Sequence, residues 1–174
     1  MAKLEPEQLR SQIEWKLWFQ WVAATALGWL AGWLLLGEVG IGAALGLTQW
    51  LVLRREVSDT KAAWWILASA VAWFVGWEII TAGLIVPVGV DLISSLLTGA
   101  VAGLLLGIGQ WLILRRWTHY ASMWIPTNLA AWSVAFTGLV GGMLFAGVVG
   151  GAVTGLVLDM LLRYPVINTE DSEG

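Results

Sequence analysis

The sequence predicts an all-α integral membrane protein: six transmembrane helices, built as three related helical hairpins in one bundle. Three observations predict it. First, 59% of the 174 residues are hydrophobic and only 12% are charged, against about 25% charged in an ordinary soluble domain. Second, all nine basic residues, Lys3, Arg10, Lys16, Arg54, Arg55, Lys61, Arg115, Arg116 and Arg163, fall on one side of a six-span arrangement, which the positive-inside rule makes the cytoplasmic or stromal side. Third, Gln49-Trp50-Leu51-Val52-Leu53-Arg54-Arg55 returns as Gln110-Trp111-Leu112-Ile113-Leu114-Arg115-Arg116, and more faintly as Leu158-Asp159-Met160-Leu161-Leu162-Arg163. Each copy closes a glycine-bearing apolar run with arginine, as a helix end at a membrane surface does.

In order along the chain, residues 1–16 form a polar cytoplasmic lead-in helix, opened by Pro6; its mixed charges lack the form of a cleaved signal, so it is expected to be retained. The six-span bundle covers residues 17–163. The first span, 17–36, is long enough for a hydrocarbon core of about 30 Å. A tight turn at Gly37-Glu38-Val39-Gly40 leads to a shorter second span, 41–53. The third span is 62–86; a turn at Pro87-Val88-Gly89-Val90 follows, and Asp91 is placed to cap the fourth, 91–114. Pro126 or its neighbours start the fifth, 126–145, an uncharged turn near Gly147 to Gly151 comes next, and the sixth is 148–163. Residues 164–174 are a polar cytoplasmic tail.

The hairpins repeat in kind. Gly28-Trp29-Leu30-Ala31-Gly32-Trp33, Ala72-Trp73-Phe74-Val75-Gly76-Trp77 and Ala131-Trp132-Ser133-Val134-Ala135-Phe136 set small and aromatic residues four apart, so each first helix bears a small stripe beside an aromatic one. The second helices hold Gly42 and Gly46 before Gln49, Gly99, Gly103 and Gly107 before Gln110, and Gly151 and Gly155 before Leu158.

Gln49 and Gln110 share a face with those glycines and are therefore candidates for a helix contact, where an amide bridges neighbouring helices. The competing role is ligation, for example of a magnesium-centred pigment by the side-chain oxygen. Among the fourteen tryptophans, Trp15, Trp18, Trp64, Trp65, Trp117 and Trp124, with Tyr120 and Tyr164, are expected in an aromatic belt at the cytoplasmic boundary, joined by Trp50 and Trp111. Trp33 and Trp77 fall near the outer boundary, whereas Trp21, Trp29, Trp73 and Trp132 are expected deep, packing helices rather than lining a cofactor pocket. Arg54, Arg55, Arg115 and Arg116 form a collar for anionic lipid head groups, at about 1 kcal/mol per cation.

Glu78 is a carboxylate in an otherwise apolar span, which by default suggests function. Its position about 25 Å along the helix from Lys61 favours an interfacial carboxylate beside Glu38 and Asp91, with a proton or cation site as the alternative. Asp159 has a pairing partner four residues on in Arg163. The absence of cysteine excludes thiolate chemistry, and a lone His119 cannot build a zinc site. No catalytic constellation and no metal site is discernible.

QWLVLRR, the segment Ala63-Trp64-Trp65-Ile66-Leu67-Ala68-Ser69-Ala70 and GWxxGW together resemble a group of tryptophan- and glycine-rich multi-pass membrane proteins common in cyanobacteria and Chloroflexi. The resemblance covers nearly the whole chain, departs at Leu158-Asp159, and implies a photosynthetic membrane as a setting but no activity. The expected function is a non-enzymatic membrane subunit or scaffold that packs against lipid, pigment or a larger complex, with membrane lipids and other subunits or a second copy as partners and no nucleic acid. A bound pigment or lipid is the cofactor class to expect, in the cell inner membrane or the thylakoid. The competing function is a small transporter or channel with Glu78 near its outer mouth; a lipid-modifying enzyme lacks a nucleophile.

Overall fold

The computed structural model describes residues 14–57, 63–83, 91–139 and 142–165. Residues 1–13 of the lead-in helix, most of the polar tail and the Pro87 turn lie outside these residues, and Trp15 and Lys16 open the first described helix. Six α-helices make up the described chain: α1 (Trp15–Ala31), α2 (Gly37–Glu56), α3 (Trp64–Thr81), α4 (Leu92–Leu114), α5 (Trp124–Phe136) and α6 (Ala146–Leu162). A π-helical turn, Gly32–Leu36, joins α1 to α2, and short 3₁₀ turns, Ala121–Met123 and Met143–Phe145, precede α5 and α6. The described residues contain no β-strand, only an isolated antiparallel bridge between Thr118 and Pro165.

Four stretches are long and apolar enough to cross a membrane: Trp15–Glu56, Trp64–Thr81, Leu92–Leu114 and Met143–Leu162. The first of these folds back on itself. Gly28 lies against Ala44 and Leu45, and Gly32 against Ile41, so α1 and α2 run antiparallel about a reversal at Gly37, whose φ of 71° suits glycine. The turn is thus made by the π turn and one left-handed residue, and Glu38 to Gly40 belong to α2. That helix has 20 residues, so it is not the short span the sequence suggests.

Two further boundaries differ from expectation. α3 ends at Thr81, followed by Gly83 at φ 64°. α5 stops at Phe136, and the chain turns through Gly138 (φ 67°) and Gly142 (φ 75°). Gly147 and Gly151 are helical residues of α6, not turn residues, because they let α6 approach Ala26 and Val22 of α1 closely. Asp91 caps α4, accepting from the backbone N–H of Ile93 and Ser94 at 3.0 Å each. Just outside the helix, its carboxyl is held below the usual range, chiefly by the Ser94 backbone N–H and then by the Ser94 hydroxyl.

Each helix packs on its neighbours in the chain, and α6 packs back on α1, so the six close into a ring. Neighbours alternate in direction, which brings Lys16, Arg54, Arg55, Arg115, Arg116 and Arg163, all the basic residues among those described, to one end. Glu38, Glu78 and Asp91 lie at the other. Inside the ring are two apolar clusters, one around Trp21, Trp65 and Trp124 near the basic end and one around Trp29, Trp73 and Trp132.

Candidate functional site

The first, third and fifth helices each carry tryptophan, a polar residue and tryptophan at four-residue steps: Trp21, Thr25, Trp29; Trp65, Ser69, Trp73; Trp124, Asn128, Trp132. Steps of four keep one helix face, and in all three helices that face is turned into the ring. Trp21, Trp65 and Trp124 are fully buried, with ring centroids 6.0–6.1 Å apart in all three pairings. About 12 Å further along the helices, Trp29, Trp73 and Trp132 make a second triangle, with separations of 5.6–6.0 Å. Phe136 covers this second triangle at 5.7–6.3 Å. Most of these pairs meet edge to face or tilted, the arrangement that aromatic quadrupoles favour. Trp65 and Trp124 are therefore axial core residues, which corrects their expected place in the interfacial belt. Trp21, Trp29, Trp73 and Trp132 are buried beside them.

Gln49 and Gln110 meet between the triangles. Gln110 donates to the Gln49 side-chain oxygen at 2.9 Å and to the Ser69 hydroxyl at 3.0 Å, and its own oxygen accepts from the Trp124 indole at 2.9 Å. Gln49 accepts also from the Trp65 indole at 3.1 Å and donates to the Thr25 hydroxyl at 3.1 Å. Both amide protons of Gln110 and both lone pairs of the Gln49 oxygen are thereby used. At the remaining helix junction the Trp21 indole donates to the Thr154 hydroxyl at 2.9 Å, and that hydroxyl donates to the Gly150 carbonyl at 2.7 Å. An indole on one helix thus meets a polar side chain on the preceding helix of the ring three times over.

Thr154, not Leu158, occupies in α6 the place that Gln49 and Gln110 hold in α2 and α4. The glycine contacts agree: Gly42 and Gly46 oppose Trp73 and Ser69, Gly103 and Gly107 oppose Asn128, and Gly147 and Gly151 oppose Trp29 and Thr25. Leu158 aligns instead with Leu53 and Leu114, all three fully buried. The sequence alignment on arginine is therefore out of register by four residues in the last helix.

At the basic end, Arg54 lies over Trp50 and Arg115 over Trp111, with 5.1 and 5.2 Å to the ring centroids. Arg54, Arg55, Arg115 and Arg116 are all exposed. Asp159 pairs with Arg163 and accepts from the Glu14 backbone N–H at 3.2 Å, fastening the start of α1 to the end of α6. Trp15 and Trp64 are exposed there, at 55% and 56%, as are Tyr120 and Tyr164.

Glu78 is exposed on α3. It does not line the cavity of about 210 Å³ that opens at the acidic end, whose walls are Trp29, Trp33, Glu38, Ile41, Trp73, Trp77, Ile80, Thr98, Phe136 and Met143. Glu38 is thus the acidic residue in the cavity wall, a placement sequence reasoning missed. An apolar groove of about 400 Å³ runs along the outside of α3 and α4, from Trp64 and Leu67 to Leu105 and Leu112. No group of three or more His, Cys, Asp or Glu that could hold a metal occurs among the described residues. No family profile, curated protein or solved structure matches the chain.

Proposed function

We propose that the chain is a non-enzymatic integral membrane scaffold or accessory subunit that crosses the bilayer six times as three related hairpins, with both termini on the cytoplasmic or stromal side. The carrying observation is the packed axis: six tryptophan rings in two triangles, with a paired amide network between them. A solute or ion crossing the ring would have to part both triangles and break a network whose buried groups cost about 1–3 kcal/mol each to leave unpaired. Interfacial Glu78, exposed outside the ring, is not placed to serve such a path. This favours the scaffold over the transporter.

The one-sided basic residues support the orientation, and the reversal at Gly37 supports counting Trp15–Glu56 as two crossings. The recurrence of the indole-to-polar contact at three junctions supports three hairpins. With its polar groups turned inward, the protein offers lipid, pigment or a neighbouring subunit an apolar exterior, including the α3–α4 groove. The resemblance to cyanobacterial and Chloroflexi proteins makes a photosynthetic membrane the first setting to examine. Purification from the native membrane in mild detergent, followed by mass spectrometry and an absorption spectrum, tests the function. The scaffold reading expects a stoichiometric protein partner, lipid or pigment; a bare protein would contradict it.

A further inference from the structure

The cavity at the acidic end is built mainly of aromatic rings. Trp29, Trp33, Trp73, Trp77 and Phe136 line its volume of about 210 Å³, and Glu38 stands at its wall. The electropositive N–H edges of two of these indoles are already engaged, that of Trp29 by the Met143 carbonyl at 2.9 Å and that of Trp73 by the Glu38 carbonyl at 2.8 Å. At these two walls a guest therefore meets ring surface and not a donor. Every basic residue among those described lies at the opposite end of the bundle, and Glu38, Glu78 and Asp91 make this end negative.

We propose that this cavity binds a small alkylated ammonium cation. Faces of tryptophan attract a cation within about 6 Å of the ring centroid, and quaternary ammonium groups are recognised in aromatic cages of this kind. A bare metal ion is a poor match, because rings offer no oxygen ligands to replace its hydration shell. An anion would face Glu38 with no cation to pair it. A sugar would stack on the rings but find only Thr98, Glu38 and the Trp33 and Trp77 indoles to hydrogen-bond its many hydroxyls. The site is a dead end, since Trp29, Trp73 and Phe136, which line it, close on Trp132 beneath them with ring centroids 5.6–6.2 Å away. It is thus compatible with the scaffold reading and does not depend on it.

The same chemistry is carried by a free quaternary amine and by the head group of a choline lipid. Full-length protein in a maltoside detergent, titrated by calorimetry with choline chloride at constant ionic strength, tests the proposal, and 3,3-dimethylbutan-1-ol supplies a neutral molecule of the same shape. Saturable choline binding is expected, with the alcohol roughly tenfold weaker or worse. Trp33→Ala and Glu38→Gln should each weaken choline roughly five- to thirtyfold. Trp33 is 44% exposed, so its loss leaves the axial core intact, and a single cooperative thermal melt verifies the fold of both variants. Glu38 also sits in the first turn of α2, where its charge favours the helix; the alcohol control is independent of that effect. Repeating the titration in phosphatidylcholine and phosphatidylglycerol nanodiscs separates the sources: weaker apparent choline affinity only in the former identifies the lipid head group, and equal affinity identifies the free amine. No saturable binding in detergent, or choline and the alcohol binding alike, would overturn the proposal.

Discussion

Gln110 leaves little room for replacement, because both its amide protons and its oxygen are engaged inside the ring. Leucine matches it roughly in volume, yet Gln110→Leu would strip partners from the Trp124 indole, the Ser69 hydroxyl and the Gln49 oxygen, all buried. Leaving buried groups unpaired costs about 1–3 kcal/mol each, although interhelical hydrogen bonds in membranes average only about 0.6 kcal/mol. We expect a loss of about 1–3 kcal/mol for Gln110→Leu in reversible unfolding in mixed detergent. Trp124→Phe removes the same indole bond from the other side, so the double variant should lose less than the sum of the singles by about 0.5 kcal/mol or more; strict additivity would count against the network. Glu78 is the contrast. It is exposed with no basic residue near its end among those described, and Glu78→Gln should change stability by no more than about 0.5 kcal/mol.

Helix contacts depend on the small stripes. A Cβ on Gly103 would come within 2.4 Å of the Asn128 carbonyl oxygen, and one on Gly46 within 2.9 Å of Ile66 and Ser69. Gly103→Leu and Gly46→Leu must therefore push whole helices apart, at a cost of about 1–3 kcal/mol, or roughly 2–10 °C of melting temperature for a chain of this size. Leu36→Ile, at a position 59% exposed, should leave the melt unchanged. Helical class was legible, and so was the placing of Gln49 and Gln110 on the small-residue faces, because apolar length and a recurring amide are properties of sequence; that the two amides bond each other was not. The azimuth of individual side chains was not. Trp64 and Trp65 sit at the same depth, yet one is 56% exposed and the other 0%, since adjacent helical residues point about 100° apart. Nearness to the cytoplasmic boundary put both in the belt; the four-residue steps Trp65, Ser69, Trp73 held the azimuthal signal. Glycine was ambiguous for a related reason. It permits both a turn, as at Gly138, and a close helix contact, as at Gly147, and only the partner α1 distinguishes them.

For the molecule as a whole, charge and packing make separate claims. Reporter fusions after Gly37, Ser58, Gly89, His119 and the C-terminus should read outside, inside, outside, inside and inside; an external Ser58 or His119 would break the six-span topology. The packed axis carries its own prediction under the proposed function, that the bundle does not conduct. Flux across sealed proteoliposomes addresses this most directly, with protons and monovalent cations driven by a gradient and Glu78→Gln run beside the unchanged protein. Leakage indistinguishable from protein-free vesicles is predicted for both. A flux that requires the protein and disappears in Glu78→Gln would contradict the scaffold reading and restore Glu78 as part of a pathway.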